Sequence, residues 1–373
     1  MPDRRPAIQE IETLVELDRL LAGGATTMRR WRLQALDLRG REDALLRLDP
    51  AGALLLGCRL HRAVEEQLRR RGALVFPRVP DIPVDPYRAL LYTPEELYEH
   101  LAQGYDATPD ALAYLWSRGA SDLADHLAQA LHDHAIDDAL GEYAQVRHAR
   151  GRHLVGVMGG HALDRGTTAY AEAARLGRVL AGSGLTVATG GGPGAMEAAN
   201  LGAYLSGHGP DVLDEALALL ARVPSFSDDV AAWAEAALAV RRRWEGVDSL
   251  GVPTWFYGHE PPNAMATHIA KYFKNAIRED VLLHLCDAGI VFLPGRAGTV
   301  QEIFQEACEN YYATESDLAP MVLVGVDHWT RELPAWPLLQ ALARDRAMAD
   351  RIHLVDDIDE TVALLVPPDL SAS

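Results

Sequence analysis

Positive charge is scarce in this sequence. Its 373 residues include 35 lysines and arginines against 53 aspartates and glutamates, which gives a formal net charge of −18. A protein that binds a nucleic-acid polymer needs a basic face for the backbone phosphates. The composition therefore argues against a nucleic-acid polymer as partner, whereas a small nucleotide can still bind through backbone N–H groups and a few arginines.

Cysteines and long apolar runs are also few. The three cysteines, Cys58, Cys286 and Cys308, are scattered and odd in number, which is typical of a reduced protein without a disulfide framework. The first residues, MPDRRPAIQEIE, contain no apolar core of a secretory signal, and no apolar run reaches the length that spans a membrane. We therefore expect a soluble, cytoplasmic protein that does not contact a membrane.

The length of the chain and its 49% hydrophobic content predict two domains with a sizeable core. The basic stretch from Arg147 to Arg152 interrupts the helical periodicity, so we place the boundary between residues 146 and 147. Residues 1–146 are predicted to be α/β and then helical, and no motif in them indicates a role. The predicted elements are a helix over 7–22, a strand over 53–56, a helix over 61–71, a strand over 73–76, an extended connector over 77–86 and helices over 94–145.

We expect no metal site in the amino-terminal region. Acidic and histidine side chains do cluster there, at Asp125, His126, His132, Asp133 and His134. Such groups on polar helix faces are most often solvated, and the sequence contains no matching set of ligands elsewhere. The prediction is therefore that the chain binds no metal.

Residues 147–373 alternate apolar strands with amphipathic helices. This alternation predicts an α/β fold with a doubly wound parallel sheet of the Rossmann-like type. The predicted strands are 154–158, 185–189, 253–257, 290–293, 321–326 and 352–355, and the predicted helices include 170–181, 212–223, 229–244, 264–286, 338–348 and 356–365. The first strand leads into Gly159, Gly160 and His161, which is not the G-x-G-x-x-G turn of a dinucleotide site, so an NAD-linked oxidoreductase is disfavoured.

Two strand–turn–helix units in this domain are typical of anion sites. In one, the strand LTVAT (185–189) ends in the turn GGGPG (190–194), and a helix begins at Ala195. In the other, the strand IVFL (290–293) ends in the turn PGRAGT (294–299), and a second helix follows. We expect both turns at the carboxyl edge of the sheet, where free N–H groups at a helix start bind phosphate.

Thr299 and Glu302 lie at the start of the second of these helices. Thr299 can cap the helix and also offer a hydroxyl to the anion. Glu302 fits either of two roles: it can complete a capping box with Thr299, or it can point into the pocket that holds the anion. The presence of two glycine turns in one domain favours the pocket.

The segments TGGGPGAMEAAN and PGRAGTVQE together resemble the LOG family, named after the plant "lonely guy" cytokinin-activating enzymes. The family pattern is a GGG-x-x-G-x-M turn followed by a P-G-G-x-G-T-x-x-E turn, and the resemblance covers roughly residues 150–360. It implies a nucleoside 5′-monophosphate phosphoribohydrolase, which releases free base and ribose 5-phosphate. The catalytic glutamate and arginine of the family match Glu302 and Arg278. Two residues depart from the pattern: Arg296 replaces the second Gly of the P-G-G turn, and Gln301 stands where plant members have a second Glu.

The resemblance and the two turns together predict where the nucleotide binds. The candidate binding residues are Gly159, Gly160, Gly191, Gly192, Gly194, Met196, Gly295, Arg296, Gly298 and Thr299. They are expected to grip the 5′-phosphate while Glu302 faces the sugar, and Arg296 either adds a phosphate contact or crowds the pocket. No cofactor is expected, and the resemblance implies a homo-oligomer, a dimer or larger.

A second function on the same scaffold stays open at this point. The protein would then be a non-catalytic nucleotide sensor, or a carrier of a phosphorylated cofactor such as the molybdenum-cofactor carriers that resemble this family. Arg296 and the unassigned residues 1–146 favour this alternative, whereas the presence of both Arg278 and Glu302 favours the hydrolase. The polar loop over residues 258–263 is either a contact to base or ribose, or a plain loop.

Overall fold

The computed structural model describes residues 8–120, 122–256, 260–314 and 318–365. They divide into two compact units. The first contains the chain up to Leu90 together with Gly119–Ala139, and the second contains Leu91–Arg118 and the chain from Leu140 onward. Residues 257–259 of the predicted strand and loop, and the predicted end of order at Pro367 and Pro368, lie outside the described residues.

The first unit is a stack of strand–helix repeats. Its parallel strands follow one another in chain order: β1 (Gln9–Ile11), β2 (Trp31–Gln34), β3 (Leu54–Leu56) and β4 (Leu74–Phe76). The helices between them are α1 (Leu14–Ala22), α2 (Glu42–Arg47) and α3 (Arg62–Arg70). The register pairs Glu10, Arg32, Leu54 and Leu74 across the sheet, so successive repeats are 22, 22 and 20 residues long. This period lies in the range that leucine-rich repeats use.

One register line of this sheet forms the core of the first unit. It consists of Ile11, Leu33, Leu55 and Val75, all of which are buried. A single strand–helix repeat cannot bury such a line by itself, and stacking the repeats makes it a continuous core.

The prediction of one helix over residues 7–22 is wrong at its start. Glu10 pairs with Arg32, so Gln9–Ile11 is a strand. Helix α1 begins after Thr13, whose hydroxyl accepts the N–H of Glu16, while the Glu16 carboxylate accepts the N–H of Thr13. This reciprocal capping fixes the helix start.

Residues 91–118, which the sequence analysis assigned to the amino-terminal region, lie in the second unit. They include the helices α4 (Pro94–Leu97) and most of α5 (Pro109–Gly119), and the long helix α6 (Leu123–His148) follows. Tyr98, Tyr105 and Ala111 are buried in the same core as the strands of the second unit. Asp110 is buried there too, and its carboxylate accepts hydrogen bonds from Lys271 Nζ at 2.5 Å and Trp255 Nε1 at 2.8 Å.

The second unit is built around a seven-stranded parallel sheet. Its strands are β5 (Leu154–Met158), β6 (Thr186–Thr189), β7 (Leu250–Gly251), β8 (His268–Ile269), β9 (Ile290–Phe292), β10 (Met321–Val324) and β11 (Ile352–Val355). Its further helices are α7 (Thr168–Gly182), α8 (Ala195–Tyr204), α9 (Pro210–Leu220), α10 (Val230–Arg243), α11 (Asn275–Leu285), α12 (Ala297–Tyr312), α13 (Ala335–Ala343) and α14 (Ile358–Leu365).

The strand order is β11-β10-β9-β5-β6-β7-β8. The chain runs outward from β5 to β8, returns to β9 beside β5, and then runs outward in the other direction to β11. This confirms the predicted doubly wound Rossmann-like sheet. Its switch point lies between β5 and β9, which is where ligands bind in sheets of this kind.

The predictions between residues 253 and 286 are wrong in part. The strand lies at Leu250–Gly251 instead of 253–257, and the helix begins at Asn275 instead of residue 264. The N–H groups of Thr267 and His268 donate to the carbonyl of Ser249, and His268–Ile269 joins the sheet as β8. These contacts occupy the backbone groups that a helix starting at 264 would need.

Candidate functional site

Three loops meet at the carboxyl ends of β5, β6 and β9. Gly160, after β5, donates its N–H to the carbonyl of Pro294, after β9, at 3.2 Å. The carbonyl of Gly160 accepts the N–H of Ala195, the first residue of α8, at 3.1 Å. The two predicted glycine turns therefore lie on the same rim of the sheet, joined through Gly160.

A cavity of about 450 Å³ opens between these loops, which is the size of a small-molecule site. Nine of the twelve predicted site residues line it, namely Gly159, Gly160, Gly192, Met196, Arg278, Arg296, Gly298, Thr299 and Glu302. The cavity is also lined by residues outside the predicted site, among them His161, Glu260, Asn275, Glu279 and Gln301.

The other three predicted residues, Gly191, Gly194 and Gly295, do not line the cavity but shape the loops around it. Gly194 has a φ of +73°, and a Cβ there would overlap the carbonyl oxygen of Gly160. A Cβ at Gly295 would overlap the side chain of Thr299. These glycines permit the close approach of the loops, and no ligand contact is assigned to them.

Helix α12 begins at Ala297, and its capping residue is Arg296. Thr299 therefore lies inside the first turn, and the prediction that Thr299 caps the helix is wrong. The Arg296 side chain makes no capping hydrogen bond. The N–H groups of Ala297, Gly298 and Thr299 have no acceptor within the helix because they belong to its first turn, and they are available to an anion in the cavity.

Glu302 faces the cavity one turn further along α12. Its side chain is buried and accepts a hydrogen bond from Arg278 Nη1 at 3.2 Å. The Arg278 guanidinium is held by two more contacts, from Nε to the carbonyl of Val252 at 2.7 Å and from Nη2 to the carbonyl of Gly190 at 3.4 Å. Of the two roles left open for Glu302, the structure shows the one in the pocket and not the capping box.

The pKa of Glu302 is raised above its ordinary value. Burial of the carboxylate is the main cause, and the neighbouring Arg278 guanidinium opposes it. Glu279 adds to the increase because it is a second negative charge nearby. A carboxylate held in this way is poorly solvated, which strengthens its interaction with any positive charge that forms beside it.

Glu279 was missed by the sequence analysis. It follows Arg278 on α11, is 3% exposed, and accepts hydrogen bonds from Asn275 Nδ2 at 2.6 Å and from Gln301 Nε2. No local pattern marks it: Gln301 departs from the family pattern, but its contact with Glu279 exists only once α11 and α12 pack together.

His161 and Glu260 both line the cavity, and their side chains lie close to one another. The distance from His161 Nδ1 to Glu260 Oε1 is 3.5 Å, and both side chains are partly exposed. Glu260 belongs to the polar loop for which two roles were left open, a contact to base or ribose and a plain loop. Asn263 of the same loop has a structural role, since its Nδ2 donates to the carbonyl of Gly192.

The histidine and acidic residues predicted not to bind metal in α6 form no ligand set within the described ranges. The described residues do bring His148, His153 and Asp287 together at the opposite, amino edge of the sheet. Asp287 already accepts hydrogen bonds from both imidazoles and from the N–H of Leu154. Arg150 and Arg152 are neighbours in sequence, and positive charge disfavours a divalent cation there.

The buried face of α12 carries a further carboxylate, Glu306, whose pKa burial raises to about 8. Because the folded state binds this proton more tightly than the unfolded state, its stabilising contribution is full below the ordinary glutamate pKa and is lost as the pH rises through about 8. We expect Glu306→Gln to remove this dependence. Thermal melts should match wild type near pH 4 and show the variant increasingly more stable up to pH 8, by up to about 4 kcal/mol. Parallel pH profiles would contradict the assignment.

Two family models match the second unit. The model described as "SLOG cluster4 family" matches residues 152–209, and the model described as "Possible lysine decarboxylase" matches residues 230–365. A search of curated proteins found no match. Within the described ranges, every helix is too short or too polar to cross a lipid bilayer.

Two solved structures are similar to this chain at low identity. One is the Moco carrier protein from Chlamydomonas reinhardtii, with 18% identity, 57% of this chain and 94% of that chain covered, and a TM-score of 0.35. The other is the molybdenum cofactor binding protein from the phototrophic bacterium Rippkaea orientalis, with 17% identity, 57% and 94% covered, and a TM-score of 0.34.

The two family matches cover strands of the same sheet, β5 and β6 in the first match and β7 to β11 in the second. Between them they contain every candidate site residue, from Gly159 to Met196 in the first match and from Arg278 to Glu302 in the second. The predicted resemblance of this part of the chain to the LOG family is therefore confirmed.

Proposed function

We propose that this protein hydrolyses the N-glycosidic bond of nucleoside 5′-monophosphates and releases the free base and ribose 5-phosphate. The observation that carries the proposal is the buried Arg278–Glu302 pair, which faces the same cavity as the first turn of α12. The free N–H groups at the start of α12 can bind a phosphate, and the Glu302 carboxylate one helical turn away can act on the sugar. A site that only binds a nucleotide does not need this carboxylate.

Cleavage of the bond between C1′ and the base nitrogen leaves positive charge on the sugar ring and negative charge on the base. The Glu302 carboxylate stabilises the first of these charges and can accept a proton from the water that attacks C1′. The new bond joins the water oxygen to C1′, and the electron pair of the broken bond leaves with the base. Arg278 orients Glu302 and lies close enough to offset its charge.

The phosphate is expected at the start of α12. The N–H groups of Ala297, Gly298 and Thr299 face it there, and Arg296 lines the same wall with an exposed guanidinium that makes no ion pair among the described residues. Gripping the phosphate positions the sugar for reaction, so nucleosides without phosphate should be poor substrates.

One of the two family models is described by lysine decarboxylation, which the residues of this chain do not support. A decarboxylase that uses pyridoxal phosphate binds its cofactor through a lysine. The chain has only two lysines, Lys271 and Lys274, and neither lines the cavity. Lys271 is fully buried and paired with Asp110.

Two further features are proposed with the activity. We infer a homo-oligomer from the family resemblance, which light scattering coupled to size exclusion would measure. We also infer a reduced, cytoplasmic location, which the three free cysteines support. We propose that residues 147–373 form the catalytic domain. Residues 91–118 pack in the same unit, and the rest of residues 1–146 has no assigned role.

The activity can be tested directly by incubating the full-length protein with AMP, GMP, CMP and UMP, and separating the products by chromatography. The proposal predicts equal amounts of free base and ribose 5-phosphate from at least one monophosphate, and little base from the matching nucleoside. Tight binding of a monophosphate without release of base would instead support a sensor or carrier.

Arg296 offers a separate test of the phosphate site. Arg296→Gly should weaken the affinity for ribose 5-phosphate by about tenfold or more, because a charged hydrogen bond contributes about 1.5–3 kcal/mol. Its thermal stability should stay close to wild type, since the exposed side chain makes no cap contact. Arg150→Gly, which changes an exposed arginine outside the cavity, is the control. Equal or tighter binding by Arg296→Gly would show that Arg296 crowds the pocket.

A further inference from the structure

Glu279 is a buried carboxylate in the cavity wall that the mechanism above does not use. Both of its oxygens are occupied, Oε1 by Asn275 and Oε2 by Gln301, so its position is fixed from α11 and α12 at once. Oε1 also lies 3.9 Å from Arg278 Nη1, the same nitrogen that donates to Glu302 at 3.2 Å.

The positive and negative charges around Arg278 Nη1 do not cancel. One guanidinium, that of Arg278, faces two buried carboxylates, those of Glu279 and Glu302. Two other titratable groups lie nearby: Glu306, one turn further along α12, and the Cys286 thiol, whose pKa is raised by burial and by acidic neighbours. Neither supplies a positive charge, and Arg296, on the cavity wall, makes no ion pair with these carboxylates.

We propose that Glu279 is a positioning residue for the hydrolysis proposed above. It competes with Glu302 for the Arg278 guanidinium, whose single positive charge cannot offset both carboxylates. The three groups therefore carry a net negative charge next to the sugar. This inference rests on the proposed function. The neutral sugar of the bound substrate gains little from that charge, whereas the positively charged sugar of the transition state gains most. Glu279 therefore contributes to the rate of bond cleavage more than to substrate affinity.

Gln301 completes this arrangement. Its amide donates to Glu279, which helps to hold that carboxylate in place beside Arg278. A carboxylate at position 301 could not donate, and it would add a third negative charge to the group.

The test uses Glu279→Gln in the full-length protein, assayed with the monophosphate that wild type cleaves best. We expect kcat to fall about tenfold while KM changes little, since the lost charge acts on the transition state. The acidic limb of the pH–rate profile should move to lower pH by about one unit, because removal of a neighbouring negative charge lowers the pKa of Glu302.

The double variant Glu279→Gln with Gln301→Glu moves the carboxylate from α11 to α12 and reverses the direction of the hydrogen bond. It should recover most of kcat and return the acidic limb toward the wild-type position. A role in folding alone predicts that both variants melt lower and that the pH profile does not move. Glu279→Asp, which keeps the charge, should recover more activity than Glu279→Gln.

The outcomes separate this proposal from the proposed function. A wild-type protein that cleaves monophosphates, together with a Glu279→Gln variant of unchanged kcat, KM and pH profile, overturns the role of Glu279 and leaves the hydrolase intact. A wild-type protein with no turnover overturns the hydrolase. In that event, a ¹³C-carboxyl NMR titration of Glu302, assigned with Glu302→Gln, still tests the electrostatic coupling: an equal midpoint in wild type and Glu279→Gln refutes it.

Discussion

Replacement of Glu302 by glutamine should reduce release of free base by about 10³-fold or more, the scale of effect seen when a group that stabilises transition-state charge is removed. Glutamine keeps the size of the side chain and can still accept the hydrogen bond from Arg278, but it carries no charge and cannot take a proton from water. Affinity for ribose 5-phosphate should stay within a few-fold of wild type, because the phosphate is held at the start of α12.

The matched control is Glu306→Gln, which removes a buried carboxylate from the same helix one turn further on. Glu306 is 3% exposed and Glu302 is 7% exposed, but only Glu302 lines the cavity. The control should keep most of its turnover. Equal loss of activity in both variants would mean that the helix, and not the cavity carboxylate, is what the substitution disturbs.

Replacement of Asp110 by alanine should unfold much of the second unit, with a loss of about 3–5 kcal/mol, because it leaves the Lys271 ammonium buried without its partner. Lys271 is fully buried, its Nζ lies 2.5 Å from Asp110, and burial lowers its pKa. The same substitution removes the hydrogen bonds that Trp255 Nε1 and Tyr105 OH donate to Asp110, and the loss of each adds to the cost. Urea unfolding followed by fluorescence measures the loss.

The double variant Asp110→Leu with Lys271→Met distinguishes an uncompensated charge from a simple loss of packing. An apolar pair of similar volume can replace a buried ion pair at little cost. The double variant should therefore be clearly more stable than Asp110→Ala. Equal destabilisation of the two would show that the ion pair matters for its shape and not for its charge.

The fold of the second unit could be predicted well, because three of its central strands, β5, β6 and β9, can be recognised from neighbouring residues alone. The runs LVGVM, LTVAT and IVFL are apolar and end in glycine turns, so both the strands and the carboxyl edge could be read from neighbouring residues. The region between residues 253 and 274 had no such signal. Its backbone is paired by contacts distant in sequence, such as the hydrogen bond from Asn263 N–H to the carbonyl of Gly191 and the pairing of β8 with β7, which override local helical periodicity.

The first unit was only partly predicted because its strands are short and are recognised only by their regular recurrence along the chain. Strands of three or four residues, such as β1 and β2, are too short to show a period of their own. The signal that could have found them is the spacing of about 22 residues between equivalent positions, which becomes visible only when the segments are aligned with one another.

The candidate site shows the same division. Glycine turns and a helix start are local, so the residues of both turns could be named from the sequence. The partner of Gln301 could not be named from the sequence, because Glu279 lies on another helix. It becomes the neighbour of Gln301 only when α11 and α12 pack together.

The most direct test of the central claim is a crystal structure of Glu302→Gln with a nucleoside 5′-monophosphate bound. Our account predicts that the phosphate accepts hydrogen bonds from the N–H groups of Ala297, Gly298 and Thr299, and that C1′ faces the side chain at position 302. A phosphate bound elsewhere in the cavity, or a sugar turned away from position 302, would contradict it.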